Sequence, residues 1–258
     1  MSTKTNIYFA SDFHLGAPNH SESLEREKKI VSWLNKIEQD AKAIYLVGDI
    51  FDVWYEWKHA VPKGHVRLLG KLAEICDSGT PVHFFTGNHD LWTFGYLEKE
   101  IGLQVHRHPI QVEHQGKKLY IGHGDGLGPG DRSYKFLKKI FTNRICQWLF
   151  SRIHPNTSFS LANYFSSTSR ITKKDSDEQF KGEDQEWLVQ YSKEILNAEH
   201  FDYLIFGHRH LPLDIELSKE SRYINLGEWV NHNAYAVLEN GLLDLKFYDS
   251  SWTKAINK

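Results

Sequence analysis

Cysteine is nearly absent: Cys76 and Cys146 are the only two in 258 residues. That is too few for a disulfide framework, and it fits a reducing compartment. Long hydrophobic runs are missing too. No apolar stretch approaches the roughly 20 residues that span a bilayer. Met1 to Asn6 lack the apolar core of a signal peptide and lead straight into a strand-like segment. Net charge is small, with a formal value of -2, so nothing global points to nucleic acid as a partner. No internal repeat or low-complexity linker divides the chain. These absences predict a cytoplasmic protein and leave peripheral membrane contact open.

What is present is ordinary in bulk, with 40% hydrophobic and 25% charged residues. The length suits one α/β domain over residues 1–258. Asn6–Ala10, Ala43–Val47 and Val82–Phe85 read as buried strands. Between them, helices are expected over Leu24–Ala41, with Ile30, Leu34 and Ile37 at helical spacing, and over Pro62–Cys76. This alternation implies a parallel or mixed sheet covered by helices. Ile110–His114 and Lys118–Ile121 flank a Gln115-Gly116 turn as a hairpin. Asp202–Phe206, Tyr223–Leu226, Ala234–Leu238 and Leu242–Tyr248 read as further strands, the last two joined at Asn240-Gly241. Two packed sheets with helices outside are expected.

One segment departs from the average. Residues 131–174 hold nine of the 31 basic residues and one of the 33 acidic ones, Asp131. Phe136, Phe141, Trp148, Phe150 and several aliphatic residues lie among those bases. The mixture suits amphipathic helices facing an acidic, apolar partner, although an apolar helical stripe is also what a core-covering helix shows.

The chemistry lies in five short clusters, each after an expected strand: Asp12-Phe-His14, Gly48-Asp49-Ile-Phe-Asp52, Gly87-Asn88-His89-Asp90, Gly122-His123-Gly-Asp125 and Gly207-His208-Arg-His210. Ligand sites of open α/β sheets lie beyond the carboxyl ends of strands, so the clusters can converge. Carboxylate, amide oxygen and imidazole suit Mn, Fe, Zn or similar divalent ions. Asp12, His14 and His210 can hold one ion and Asn88, His123 and His208 a second, with Asp49 shared between them. The neighbouring glycines permit tight turns and close approach of a substrate. A lone Asp-x-His or His-x-His is weak, because strand alternation alone places two such residues on one face. Five clusters in one order are far more specific.

Together these motifs resemble the full set of the calcineurin-like metallophosphoesterases. The resemblance implies an α/β fold, a four-layer α-β-β-α sandwich, with a dinuclear centre. It also implies that His89 contacts a phosphoryl oxygen or protonates the leaving group, with Asp49 and His89 as the catalytic pair. Asp49-x-x-Asp52-x-Trp54, His123-Gly-Asp125 followed by Asp131-x-x-Tyr134, and Leu226-Gly-Glu-Trp229 are similar to the UDP-2,3-diacylglucosamine hydrolase family of lipid A synthesis. That resemblance implies a helical lid insertion at residues 127–182 and a lipid-linked UDP-sugar substrate. It further implies two divalent ions, manganese favoured, and peripheral contact with the cytoplasmic membrane. Substrate contacts would fall at Asn88, His89, Asp131, Tyr134, Ser169, Lys173 and Lys174. Attack at the α-phosphorus would yield UMP and the lipid 1-phosphate. One residue departs: the best-known branch has Arg where His89 stands. That fits either a sister branch with the same substrate or a relative acting on another phosphate ester or diphosphate.

Overall fold

The computed structural model describes residues 4–130, 132–177 and 179–248. The first half alternates β1 (Asn6–Ala10), α1 (His20–Ile37), β2 (Ala41–Val47), α2 (Val66–Asp77) and β3 (Val82–Phe85), then a π-helical turn at Leu97–Ile101 and β4 (Gln104–His106). A hairpin of β5 (Ile110–His114) and β6 (Lys117–Gly122) follows. Three helices come next: α3 (Arg132–Thr142), α4 (Arg144–Ser151) and α5 (Pro155–Asp177). The chain then forms α6 (Trp187–Ala198), β7 (Tyr203–Phe206), β8 (Pro212–Ser218), β9 (Ser221–Leu226), β10 (Ala234–Glu239) and β11 (Leu242–Phe247).

The strands make two sheets, ordered β11-β10-β1-β2-β3-β4 and β5-β6-β7-β9-β8. Side-chain alternation explains how they stack. Ile7 and Phe9 of β1, and Ala43, Tyr45 and Val47 of β2, meet Leu119, Ile121, Ile205 and Ile224 of the second sheet. The intervening Tyr8, Ala10, Ile44 and Leu46 face α1 and α2. On the far side, Leu204, Phe206 and Tyr223 face Leu188 and Val189 of α6. The result is four layers, helix–sheet–sheet–helix, with strands buried on both faces and therefore apolar almost throughout.

Several boundaries differ from those expected. The Asn19 side chain accepts the Glu22 N–H at 3.0 Å, so α1 starts at His20 rather than Leu24. It stops at Ile37, because Ala41 already opens β2. β4, β8 and α6 add to the expected elements. Strand β8 is an edge strand opening on a proline, which blurs its pattern.

Among the described residues, helices α3–α5 contribute nothing to the three apolar clusters. They rest on the sandwich through separate contacts. Trp92 packs on Phe141 and Phe150, with ring centroids 5.5 and 4.6 Å away, and its indole N–H donates to the Phe141 carbonyl at 2.9 Å. The Tyr55 hydroxyl donates to the Gln147 carbonyl at 2.9 Å. Phe141 therefore anchors these helices, whereas Trp148 stays 54% exposed with Arg152 over its ring.

Trp33 of α1 is fully buried against Phe13, Trp229 and Tyr235, at centroid distances of 6.4, 5.1 and 5.5 Å. Trp33→Ala should lower the unfolding free energy by about 3–5 kcal/mol. Urea denaturation followed by circular dichroism measures that loss.

Candidate metal centre

All five clusters arrive at one place because each follows the carboxyl end of a strand. Asp12 and His14 follow β1, Asp49 follows β2, Asn88 and His89 follow β3, His123 follows β6, and His208 and His210 follow β7. Ligand atoms of Asp12, His14, Asp49 and His210 lie within 4.8 Å of one another, and those of Asp49, His123 and His208 do so as well. Asp49 belongs to both groups, so its carboxylate sits between them.

The local backbone is unusual. Asp12, His14, Asp49, His208 and His210 all have positive φ, at 54, 44, 53, 65 and 59°. Non-glycine residues avoid this region, and such strain collects at functional sites. Surrounding bonds hold it. The N–H groups of Asp12 and His14 donate to the carbonyls of Gly48 and Asp49, each at 3.0 Å. Buried Arg26 of α1 donates to the carbonyls of Phe13 and His14 at 2.7 Å each, and also to that of Ala17. Asp90 accepts N–H bonds from Gly87 at 2.7 Å and Ile50 at 2.7 Å, clamping two of the loops together.

The adjacent glycines make the tight turns expected, Gly48 with φ 85°, and also leave room for the ligands. A Cβ on Gly87 would run into the Asp49 carboxylate, and one on Gly48 into the His123 ring. Orientation of His123 follows directly: its Nδ1–H donates to the Val47 carbonyl at 2.8 Å, which turns Nε2 towards Asp49 Oδ2 at 3.3 Å and makes it the nitrogen that would meet an ion.

The residues fit a pair of cations on three counts. Asp12 Oδ1, His14 Nδ1, Asn88 Oδ1 and His123 Nε2 are buried without a hydrogen-bond partner, a costly state for a polar atom. The Nε2 atoms of His14 and His210 approach to 3.1 Å, close enough for both to face one ion. The charge balance also calls for positive ions. Burial opposes charge on Asp12 and Asp49, yet neighbouring histidines hold both well below the usual carboxylate range. Burial likewise opposes charge on His14 and His123, yet the surrounding carboxylates push both up to about 10. Protons on these rings thus neutralise the buried carboxylates when cations do not. His208 goes the other way, pushed down to about 3 by burial and by His123, and keeps a lone pair for a ligand bond.

His89 stands beside this set and joins neither of these two groups; its ligand atom falls in a third, with those of His14 and Asp52. Its ring lies 4.9 Å from that of His14, and its backbone N–H donates to Asp49 Oδ1 at 2.9 Å. The ring Nδ1–H donates to the Asp52 carbonyl at 2.9 Å, so Nε2 is the nitrogen left to meet a substrate. Burial lowers its pKa. Tyr134 lies next to the centre, 6.3 Å from the His208 ring, but its hydroxyl donates to Asp125 Oδ2 at 2.6 Å. Lys138 also contacts that oxygen at 2.6 Å. Asp131 and the side chains of Ser169, Lys173 and Lys174 lie outside the described residues.

Three further residues matter that stand in the sequence clusters but are given no role there. Asp90 aligns the loops, and its place in Gly-Asn-His-Asp was the available signal. Asp52 Oδ1 lies 3.6 and 3.7 Å from the Nδ1 atoms of His14 and His89. Arg209, between two ligand histidines, pairs with buried Glu186 at 2.9 and 3.1 Å.

The calcineurin-like phosphoesterase family model matches residues 5–212. The chain belongs to this family. Among curated phosphoesterase relatives, a protein of Porphyromonas gingivalis named UDP-2,3-diacylglucosamine hydrolase is 40% identical over 94% of this chain and 97% of its own length. One of the same name from Shewanella sp. is 25% identical, covering 92% of this chain and 95% of its own. Of solved structures, a dimetal phosphatase from Danio rerio has a TM-score of 0.47 at 12% identity, over 95% of this chain and 96% of that one.

Metal uptake should expel protons. His14 and His123 hold protons up to about pH 10 in the metal-free protein, and a ligating nitrogen must be bare. Titration calorimetry at pH 7.5 in buffers of different ionisation enthalpy should therefore show proton release, with apparent affinity rising with pH. Because the folded state binds these protons more tightly than the unfolded chain, they contribute stability that is fully present below about pH 6.5. That contribution is lost as pH climbs towards about 10. The metal-free Tm should fall over this window and the metal-loaded Tm much less. Parallel, flat profiles would contradict the charge balance described here.

Proposed function

We propose that this chain hydrolyses the diphosphate of UDP-2,3-diacylglucosamine, with water attacking the α-phosphorus, to give UMP and 2,3-diacylglucosamine 1-phosphate. The observation that carries this reading is the 40% identity, over 94% of the chain, to a protein of that named activity. The convergent ligand set and the basic, apolar helices beside it support the same substrate.

Asp12, His14 and His210 would hold one divalent ion and Asn88, His123 and His208 the other, with Asp49 available to both. When bound, two such ions polarise a phosphoryl group and lower the pKa of the attacking water. The donor set accommodates Mn, Fe or Zn, and the family resemblance favours manganese. His89 offers Nε2 to a phosphoryl oxygen or to the leaving oxygen. To donate there it must first take up a proton, and the dianionic diphosphate favours that proton. Asn88 shares the phosphate side of the site. Tyr134, Asp131, Ser169, Lys173 and Lys174 bind the head group and its residual charge. The Tyr134 hydroxyl is already directed to Asp125, so the ring is what it presents.

In this reading the segment 127–182 is a lid over the acyl chains. Phe136, Ile145, Trp148 and Phe165 are 68, 68, 54 and 63% exposed, among Lys139, Arg144 and Arg152. Apolar side chains interleaved with bases suit the interface of an anionic membrane. No helix among the described residues is long and apolar enough to cross one. The enzyme works at the cytoplasmic face, as a peripheral protein.

Three results are expected. Hydrolysis in oxygen-18 water should place the label in UMP, read by mass spectrometry of both products. Label in the lipid phosphate, or no turnover of this substrate, would return the protein to the general phosphodiesterases of the family. His89→Ala should cost about 10²–10⁴ in kcat while retaining both ions by metal analysis. Ile145→Asp with Trp148→Asp should reduce cosedimentation with anionic vesicles but spare hydrolysis of a soluble aryl phosphodiester.

A further inference from the structure

Helix α5 is mostly solvent-facing where its side chains are described. Leu161, Tyr164 and Phe165 are 42, 66 and 63% exposed. Two serines break that pattern, Ser158 and Ser166, at 1 and 7% exposure. They lie eight positions apart, on one stripe of the helix, which makes this the stripe turned towards the sandwich.

Ser166 does more than pack. Its hydroxyl lies 3.1 and 3.0 Å from the two carboxylate oxygens of Asp52, 114 positions away in sequence. Asp52 is 3% exposed. The same Asp52 Oδ1 lies 3.6 Å from His14 Nδ1 and 3.7 Å from His89 Nδ1. Its backbone carbonyl accepts the His89 Nδ1–H at 2.9 Å. One aspartate therefore touches the inserted helix on one side, and on the other a proposed metal ligand together with the histidine assigned to the phosphoryl group.

We propose that Ser166 is a positioning residue, a latch that makes the seating of α5 and the orientation of His14 and His89 a single event. A hydroxyl bonded to a buried carboxylate is charge-assisted, and withdrawing it takes a donor from that carboxylate. Lifting α5 thus destabilises Asp52 where it sits, and a displaced Asp52 no longer fixes the two rings. The coupling runs both ways: a rigid Asp52 favours the closed helix, and a closed helix favours an ordered site. Phe159 against Trp57, with centroids 5.9 Å apart, is an apolar contact of the same helix that tolerates sliding. The Ser166 bond fixes the register. The proposal rests on the phosphoryl hydrolysis proposed above but not on the identity of the lipid.

The test compares Ser166→Ala, Ser166→Thr and Ser166→Val in the full-length protein. Thr keeps the hydroxyl, and Val matches its shape without one. Hydrogen–deuterium exchange on the metal-free, substrate-free protein reads the helix directly. Ala and Val should raise exchange over residues 155–166 by about ten- to a hundredfold, and Thr should stay near the parent. Metal-loaded Ala and Val variants should lose about tenfold in kcat on both the UDP-lipid and a soluble aryl phosphodiester, with metal content unchanged and Thr rescuing. The proposal is overturned if α5 exchange is unaltered, if Val behaves as Thr, or if the loss is confined to KM for the lipid. If Ala fails to fold, the Thr–Val comparison decides the same point. Failure of the substrate assignment shows separately, as intact aryl diesterase activity and intact latch behaviour without turnover of the UDP-lipid.

Discussion

The molecule is organised around buried negative charge. Asp12 and Asp49 are almost fully enclosed, and a carboxylate in that position is tolerable only when positive charge stands beside it. Histidines from several different loops supply that charge, or give it up to cations. Bringing those loops together requires strand ends that all point one way, hence the parallel centre of both sheets. It also requires backbone conformations that ordinary residues avoid, and the bonds made by Arg26 and Asp90 offset their strain. The four layers give that arrangement rigid walls.

The aromatic and basic helices stand in a different relation to this centre. They rest on it at a few points: the Trp92 and Tyr55 contacts, the Asp125 carboxylate that receives Tyr134 and Lys138, and the Ser166 hydroxyl. Apolar side chains that elsewhere would build a core are left facing outward. That is costly in water and sensible beside acyl chains. In the proposed reading the labour is divided: the sandwich orients a phosphorus atom, and the helices select what is attached to it.

Much of this was legible from sequence. Buried strands such as Asn6–Ala10 and Val82–Phe85 show as unbroken apolar runs because both faces are covered, and their ends match the structure residue for residue. The ligand clusters were legible because their chemistry is concentrated in short, glycine-bounded words. Residues acting through tertiary contact were not. Nothing about Ser166, in a helix with several serines, separates it from its neighbours until Asp52 is seen against it. Helix ends were misplaced where a single side chain decides, as Asn19 does for α1. The glycines show in the sequence, but a further reason for two of them does not: Gly48 and Gly87 also make room for His123 and Asp49, which only the packed loops reveal.

That the described residues of α3–α5 add nothing to the three apolar clusters has a consequence for how such a protein changes. A segment outside the core can be lengthened, shortened or replaced without reopening the packing of the sandwich. It behaves as an interchangeable cartridge, whose fitting to the body, among the described residues, comes down to a few aromatic seats and a handful of polar contacts. In the proposed reading, new substrate preferences arise by exchanging this cartridge, while the hydrolytic machinery beneath it is inherited intact.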